Sequence, residues 1–225
     1  MNKKRILVYI IGLLVLALGL VLNTKAALGV SPIISVAYCL SEITGISFAD
    51  MTFLEYTVLV ILEVIVHIVD YSKKENAKRP IKNIKKVLVS DVLQIVLSVV
   101  FTRFVGLFAN LIPDFGQSGY MVRISVLALA IVCTGVGAAM SLDVRIVPNP
   151  GDGIVQALAD HFGKEVGFTK NCFDLLNVCI TTTLGLFIIH RVIGIGIGTL
   201  MAVLFVGRVV ACFNRFFKKK IEALI

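Results

Sequence analysis

The chain has 225 residues, a formal net charge of +8 and a hydrophobic fraction of 58%. Charged residues make up only 16% and the mean hydropathy is +0.96, so the polar surface is too small to cover a water-soluble globule of this size. The composition therefore predicts an all-α membrane protein. The basic residues stand beside apolar segments, as they do at the cytoplasmic ends of membrane helices, which argues against nucleic-acid binding.

The first half of the chain predicts three spans and one short helix. The spans cover about 6–25, 52–70 and 87–110. Ser31-Pro32 indicates a helix start, because Ser caps helices and Pro fits the first helical position. The helix that follows, 31–44, is too short to cross a bilayer. The basic leader and the lysine-rich loop 71–86 are both predicted to be cytoplasmic. An even number of crossings separates them, so 31–44 is expected to be re-entrant from the outer side or interfacial.

The second half repeats this pattern. Spans are predicted over about 121–140, 170–189 and 199–214, with both chain termini in the cytoplasm. Asn149-Pro150 indicates the start of a second short helix over 150–162, which Gly163 ends. The fold prediction is thus six transmembrane helices plus two short broken or re-entrant helices.

Paired positions indicate an internal repeat. Gly19 and Gly137, like Pro32 and Pro150, are separated by 118 positions. The predicted units are 1–110 and 111–225, and the alternative is two unrelated helix starts. The first unit is predicted to begin on the cytoplasmic side of the membrane and the second on the outer side, so the two units would have inverted topologies.

Inverted repeats would bring the N-termini of the two short helices together near the bilayer midplane. Helix N-termini offer backbone N–H groups and the positive end of the helix dipole, which favour an anion or a polar solute. The candidate substrate-binding residues are Ser31, Pro32, Asn149, Pro150, Gly151, Asp152, Lys25 and Arg145. In the alternative interpretation, Lys25 and Arg145 only extend to the interface. Asp152 either caps its helix or binds a proton, a cation or an amine.

Several ionisable residues fall within the apolar spans. Glu63 and His67 are four positions apart, which predicts a pair or a proton relay on one helix face. Glu55 and Asp174 follow the two short helices at nearly corresponding places. All four are candidates for ion coupling. The alternatives are solvation of His67 at a helix end and structural hydrogen bonding by the two acids.

Other chemistry has no support in the sequence. There is no catalytic triad, metal-binding motif or nucleotide-binding loop in a strand context, so we expect no enzyme activity, no metal and no cofactor. The five cysteines lack CxxC spacing and are expected to be packed free thiols. The expected partners are the lipid bilayer and an unknown small solute, and the chain is also compatible with a homo-oligomer.

Three short motifs carry a family resemblance. They are Leu28-Gly29-Val30-Ser31-Pro32, Pro150-Gly151-Asp152 and Gly196-Ile197-Gly198-Thr199. The chain resembles the YitT/YczE-like bacterial integral membrane proteins over most of its length. The resemblance implies a multi-pass protein of the bacterial inner membrane, and it implies no substrate.

Two functions remain at this point. The first is a transporter or channel for a small polar or anionic solute, with its site where the two short helices begin. The second is a membrane accessory or assembly subunit that transports nothing. The polarity of Ser31, Asn149 and Asp152 favours the first, because a scaffold does not need it.

Overall fold

The protein is a bundle of helices. A computed structural model describes residues 3–72, 83–144 and 146–224, and these residues form eight α-helices. In chain order they are α1 (Lys3–Lys25), α2 (Ser35–Thr44), α3 (Phe48–Ser72), α4 (Ile84–Leu111), α5 (Tyr120–Asp143), α6 (Pro150–Phe162), α7 (Val166–Ile189) and α8 (Ile197–Leu224). A 3₁₀ turn, Pro32–Ile34, precedes α2.

Six of these helices are long and apolar enough to cross a membrane. They are α1, α3, α4, α5, α7 and the Ile197–Phe217 part of α8. The all-α class and the six predicted spans are therefore confirmed, and the chain is an integral membrane protein. The helices extend past the predicted spans, because a hydropathy window detects only their apolar part. The predicted 150–162 helix coincides with α6, while 31–44 divides into the 3₁₀ turn and α2.

The two ends of the bundle are held by hydrogen bonds between distant segments. At one end, called here the N-terminal face, the Arg5 guanidinium donates to the backbone oxygen of Val144 at 2.7 and 3.0 Å. At the other end, called the opposite face, Arg123 donates to the backbone oxygens of Ala26 and Ala27. The location of the N-terminal face in the cytoplasm stays a prediction.

Neither short helix crosses the bundle. The segment that contains α2 leaves α1 at the opposite face and returns there, because Tyr38 packs on Phe48 at the start of α3 and also lies against Gly194. The segment that contains α6 likewise leaves α5 and enters α7 at the N-terminal face. There His161 Nδ1 lies 2.5 Å from Asp70 Oδ1 at the end of α3.

The closest helix crossing is that of α1 with α5. A Cβ at Gly137 would lie 2.3 Å from the backbone nitrogen of Leu16, and a Cβ at Gly19 would lie 2.5 Å from that of Thr134. Thr134 and Gly137 stand 118 positions after Leu16 and Gly19, so the two contacts are each other's counterparts. A two-fold axis between the predicted repeat units would produce this reciprocal pattern.

Helix packing follows the same pairing with one exception. The contact of α1 with α4 is matched by α5 with α8, and that of α3 with α6 by α7 with α2. However, α3 packs extensively on α4, whereas their counterparts α7 and α8 make little contact in the described part of the chain. The inverted repeat itself stays a prediction.

The outer surface of the bundle is apolar. Among its exposed side chains, Phe187 of α7 is 82% and Leu200 of α8 is 64% accessible. Such side chains are suited to contact lipid. All five cysteines are free thiols, but the predicted packing holds for few of them, because only Cys39 is buried and Cys172, Cys179 and Cys212 are exposed.

Candidate functional site

A cavity of about 670 Å³ lies inside the bundle where α2 and α6 begin. Ser31 and Ile33 line it from the first helix start, and Asn149 and Asp152 line it from the second. Ile33 also packs on Gly151, because a Cβ at position 151 would lie 2.8 Å from the Ile33 Cδ1. The structure therefore brings both predicted helix starts to one cavity, with Pro32 and Pro150 buried behind it.

The cavity extends from this meeting point toward the N-terminal face. Lys86 and Val166, near the beginnings of α4 and α7, line it there. Gly207 of α8 also lines it.

Asn149 caps α6, as predicted. Its side-chain oxygen accepts a hydrogen bond from the backbone N–H of Gly151 at 3.2 Å, and its backbone oxygen accepts from Asp152 and Gly153 at 2.9 and 2.8 Å. The buried Tyr56 of α3 lies beside the Asn149 side chain. These bonds fix the start of α6 against the cavity.

The start of α2 differs from the prediction. Ser31 occupies the cap position but makes no side-chain cap hydrogen bond. The chain enters α2 through the 3₁₀ turn, in which the Ser35 hydroxyl donates to the backbone oxygen of Pro32 at 2.7 Å. The Glu55 carboxylate of α3 lies beside the backbone of Ala37. Capping by Ser31 was therefore a wrong prediction, because the chain enters α2 through the 3₁₀ turn instead.

The predicted unpaired amides are also paired at the start of α6. Pro150 has no N–H, and the N–H groups of Gly151, Asp152 and Gly153 all bond to Asn149. The positive end of the helix dipole remains, but an anion would find no unpaired donor among these residues. A solute at this end of the cavity meets the side chains of Asn149 and Asp152 instead.

The basic group that acts on Asp152 among the described residues was missed by the sequence analysis. Lys170 of α7 lines the cavity and lies 3.7 Å from Asp174 one turn further along α7. Burial raises the pKa of the Asp152 carboxyl group, and the charge of Lys170 offsets part of that rise. The i, i+4 spacing of Lys170 and Asp174 was visible in the sequence, but their closeness to Asp152 depends on how α6 packs on α7.

The two basic residues that were predicted for the site lie elsewhere. Lys25 ends α1 at the opposite face, where its backbone oxygen accepts from Phe115, and it does not line the cavity. Arg145 falls outside the described residues. We therefore assign the positive charge at the start of α6 to Lys170.

Glu63 and His67 both line the cavity, but no hydrogen bond or ion pair joins them, so the predicted direct pair is wrong and the predicted proton relay stays a prediction. Instead, each contacts a residue of α4. Nδ1 of His67 lies 2.9 Å from Oδ2 of Asp91, and Nε2 of Gln94 donates to both carboxylate oxygens of Glu63 at 3.0 Å. The residues that the sequence analysis missed here are Asp91 and Gln94, because partners across two helices depend on the rotation of each helix.

Comparison with known proteins gives one match. Residues 3–215 match a family described as "Family of unknown function (DUF6198)". No curated protein and no solved structure matches the chain. The match does not name the YitT/YczE-like proteins, so that resemblance stays a prediction. Because the matched region covers nearly the whole chain, the protein belongs to the DUF6198 family of unknown function.

Proposed function

We propose that this protein is a transporter or channel for a small polar solute, which binds in the cavity where α2 and α6 begin. One observation carries the proposal: two short helices that do not cross the bundle begin at the same cavity, whose lining includes polar side chains. Discontinuous helices that meet around a central site are the recurring architecture of membrane transporters.

The size and lining of the cavity support binding of a small molecule. Its volume of about 670 Å³ is within the range of small-molecule sites. Its lining combines apolar side chains with a few polar ones, which include Asn149, Asp152 and Lys170. Polar and ionisable groups inside a membrane protein are costly, and an accessory subunit that only packs its helices would not need them.

The charged groups at the start of α6 determine which chemical groups the solute must carry. Asp152 offers a carboxyl group that accepts from an amine or a hydroxyl group, and Lys170 offers a cationic donor. Asn149 uses its side chain to cap α6, so it orders the site as well as lining it. This arrangement favours a polar solute that contacts both an acid and a base over a simple anion.

The test is ligand-induced thermal stabilisation of the purified protein with a panel of amino acids, small carboxylates, amines and nucleobases. We expect at least one solute to stabilise the parent, by about 2.7 kcal/mol at 100 times its Kd. Asn149→Ala, Asp152→Asn and Lys170→Gln should each lose most of that stabilisation. The matched controls are Asn110→Ala and Glu42→Gln, at exposed positions away from the cavity.

The stabilisation that is lost in Asp152→Asn is compared with the stabilisation that is lost in Lys170→Gln. A larger loss in Asp152→Asn indicates that the bound solute group is cationic, and a larger loss in Lys170→Gln indicates that it is anionic. A solute that stabilises all three folded site variants as strongly as it stabilises the parent would show that the cavity is not its site. A panel without any stabilising solute would favour the non-transporting subunit.

A further inference from the structure

A second group of side chains lines the same cavity and approaches Gly153 of α6. Glu63 and His67 come from α3, and Asp91 comes from α4. One carboxylate oxygen of each acid and one ring nitrogen of the histidine all lie within 4.8 Å of one another. Glu63 and Asp91 are only 3% and 2% exposed, so two carboxylates are buried side by side.

A fourth side chain points to a ligand for this group. Gln94 is fully buried, and its Oε1 atom has no hydrogen-bond partner, although its Nε2 donates to Glu63. Oε1 of Gln94 and both oxygens of Glu63 converge on the space beside Gly153. A Cβ there would lie 2.9 Å from the amide oxygen and 2.5 and 2.9 Å from the carboxylate oxygens. A buried acceptor without a donor is costly, and a cation would satisfy it.

The donor set determines which cation fits. Two carboxylates and an amide oxygen suit hard divalent ions, whereas an imidazole nitrogen favours first-row transition metals over Mg²⁺ and Ca²⁺. No thiol takes part, which disfavours Cu⁺. A divalent ion would also balance the charges of the two buried carboxylates, and the cavity gives it a path to the site.

We propose that Glu63, His67 and Asp91 bind a divalent transition-metal ion such as Mn²⁺, Fe²⁺, Co²⁺ or Zn²⁺, and that the unpartnered Oε1 of Gln94 lies beside it. This assignment differs from the expectation of no metal, because Asp91 and Gln94 join Glu63 and His67 only when α4 packs on α3. Gly153 contributes by its lack of a side chain, since a Cβ would displace Glu63 and Gln94. The inference does not rest on the transport proposal.

The test uses the full chain in detergent or nanodiscs, without a histidine tag and after treatment with a chelator. Co²⁺ binding is followed by its visible absorption and Mn²⁺ binding by electron paramagnetic resonance. We expect one ion per chain. Glu63→Gln, His67→Gln and Asp91→Asn should each weaken binding by at least about tenfold.

The chain provides a matched control in its other histidine–aspartate contact. His161 Nδ1 lies 2.5 Å from Asp70 Oδ1 at the N-terminal face, and the metal-ligand group among the described residues does not include this pair. His161→Gln should therefore bind Co²⁺ as the parent does. Parent protein that binds neither ion would overturn the proposal, even if the site variants fail to fold. Loss of binding in His161→Gln together with full binding in the three site variants would overturn it as well.

The metal and solute experiments can fail separately. Metal binding with no stabilising solute would leave the metal site in place and remove the proposed transport function. Solute binding by a protein that binds neither Co²⁺ nor Mn²⁺ would support the transport proposal and overturn the metal site.

Discussion

Gly137→Ala is expected to destabilise the protein strongly, although alanine is the better helix former. The added Cβ would lie 2.3 Å from the backbone nitrogen of Leu16, and no rotation of a side chain can relieve a clash with backbone. The helices α1 and α5 would have to move apart along the closest crossing of the bundle. Overpacking of this kind costs about 1–3 kcal/mol, a large part of a typical stability of about 5–15 kcal/mol.

Thermal unfolding of the detergent-purified protein measures this effect. We expect Tm to fall by about 2–4 °C for each kcal/mol lost. Gly19→Ala should behave similarly, because its Cβ would lie 2.5 Å from the backbone nitrogen of Thr134. Gly167→Ala is the matched control: a Cβ there meets nothing within 4 Å, so Tm should stay the same or rise. Equal Tm values for Gly137→Ala and Gly167→Ala would show that the crossing is looser than described.

Gly207→Trp is expected to close the cavity without unfolding the protein. Gly207 lines the cavity from α8, and a Cβ at this position meets no atom within 4 Å, so a large side chain has room. The indole ring is large enough to obstruct the route from the N-terminal face to Asp152. A single cysteine introduced by Asp152→Cys should react with a small methanethiosulfonate reagent at least about tenfold more slowly. This corresponds to a rise of about 1.4 kcal/mol in the activation free energy of the reaction.

Leu200→Trp is the control for this experiment. Leu200 is also on α8, is 64% exposed and does not line the cavity, so the same tryptophan there should leave the reaction rate unchanged. Equal rates with tryptophan at either position would mean that solutes reach Asp152 by another route.

Elements with strong local signals were predictable from the sequence. The bounds of α6 were predicted correctly because Asn149-Pro150 starts the helix and Gly163, in a left-handed conformation with φ of 60°, ends it. The six spans follow from hydropathy alone. The start of α2 was less predictable, since a Ser-Pro pair is compatible with both an α-helix and the 3₁₀ turn that forms.

The meeting of the two helix starts was predictable from the Ser31-Pro32 and Asn149-Pro150 pairs, but the partners of the ionisable residues were not. Asn149 and Asp152 belong to one helix start, and their roles follow from their positions in it. The partners of Glu63 and His67 come from α4, and the partner of Asp152 comes from α7. Such contacts depend on the rotation of each helix in the bundle, which one sequence does not specify. Lys25 was wrongly included because its distance along the chain from Pro32 says nothing about the direction of its side chain.

Water-soluble molecules must reach the point where α2 and α6 begin if the proposed site exists. Cysteine accessibility tests it without knowledge of the solute. In a protein with all five native cysteines replaced, Ser31→Cys and Asp152→Cys are treated with small charged methanethiosulfonates. Ser35→Cys is the matched control, because Ser35 is fully buried and its hydroxyl lies 2.7 Å from that of Thr181. We predict rapid modification at positions 31 and 152 and none at 35. Folded variants that stay unmodified at positions 31 and 152 would contradict the proposed site.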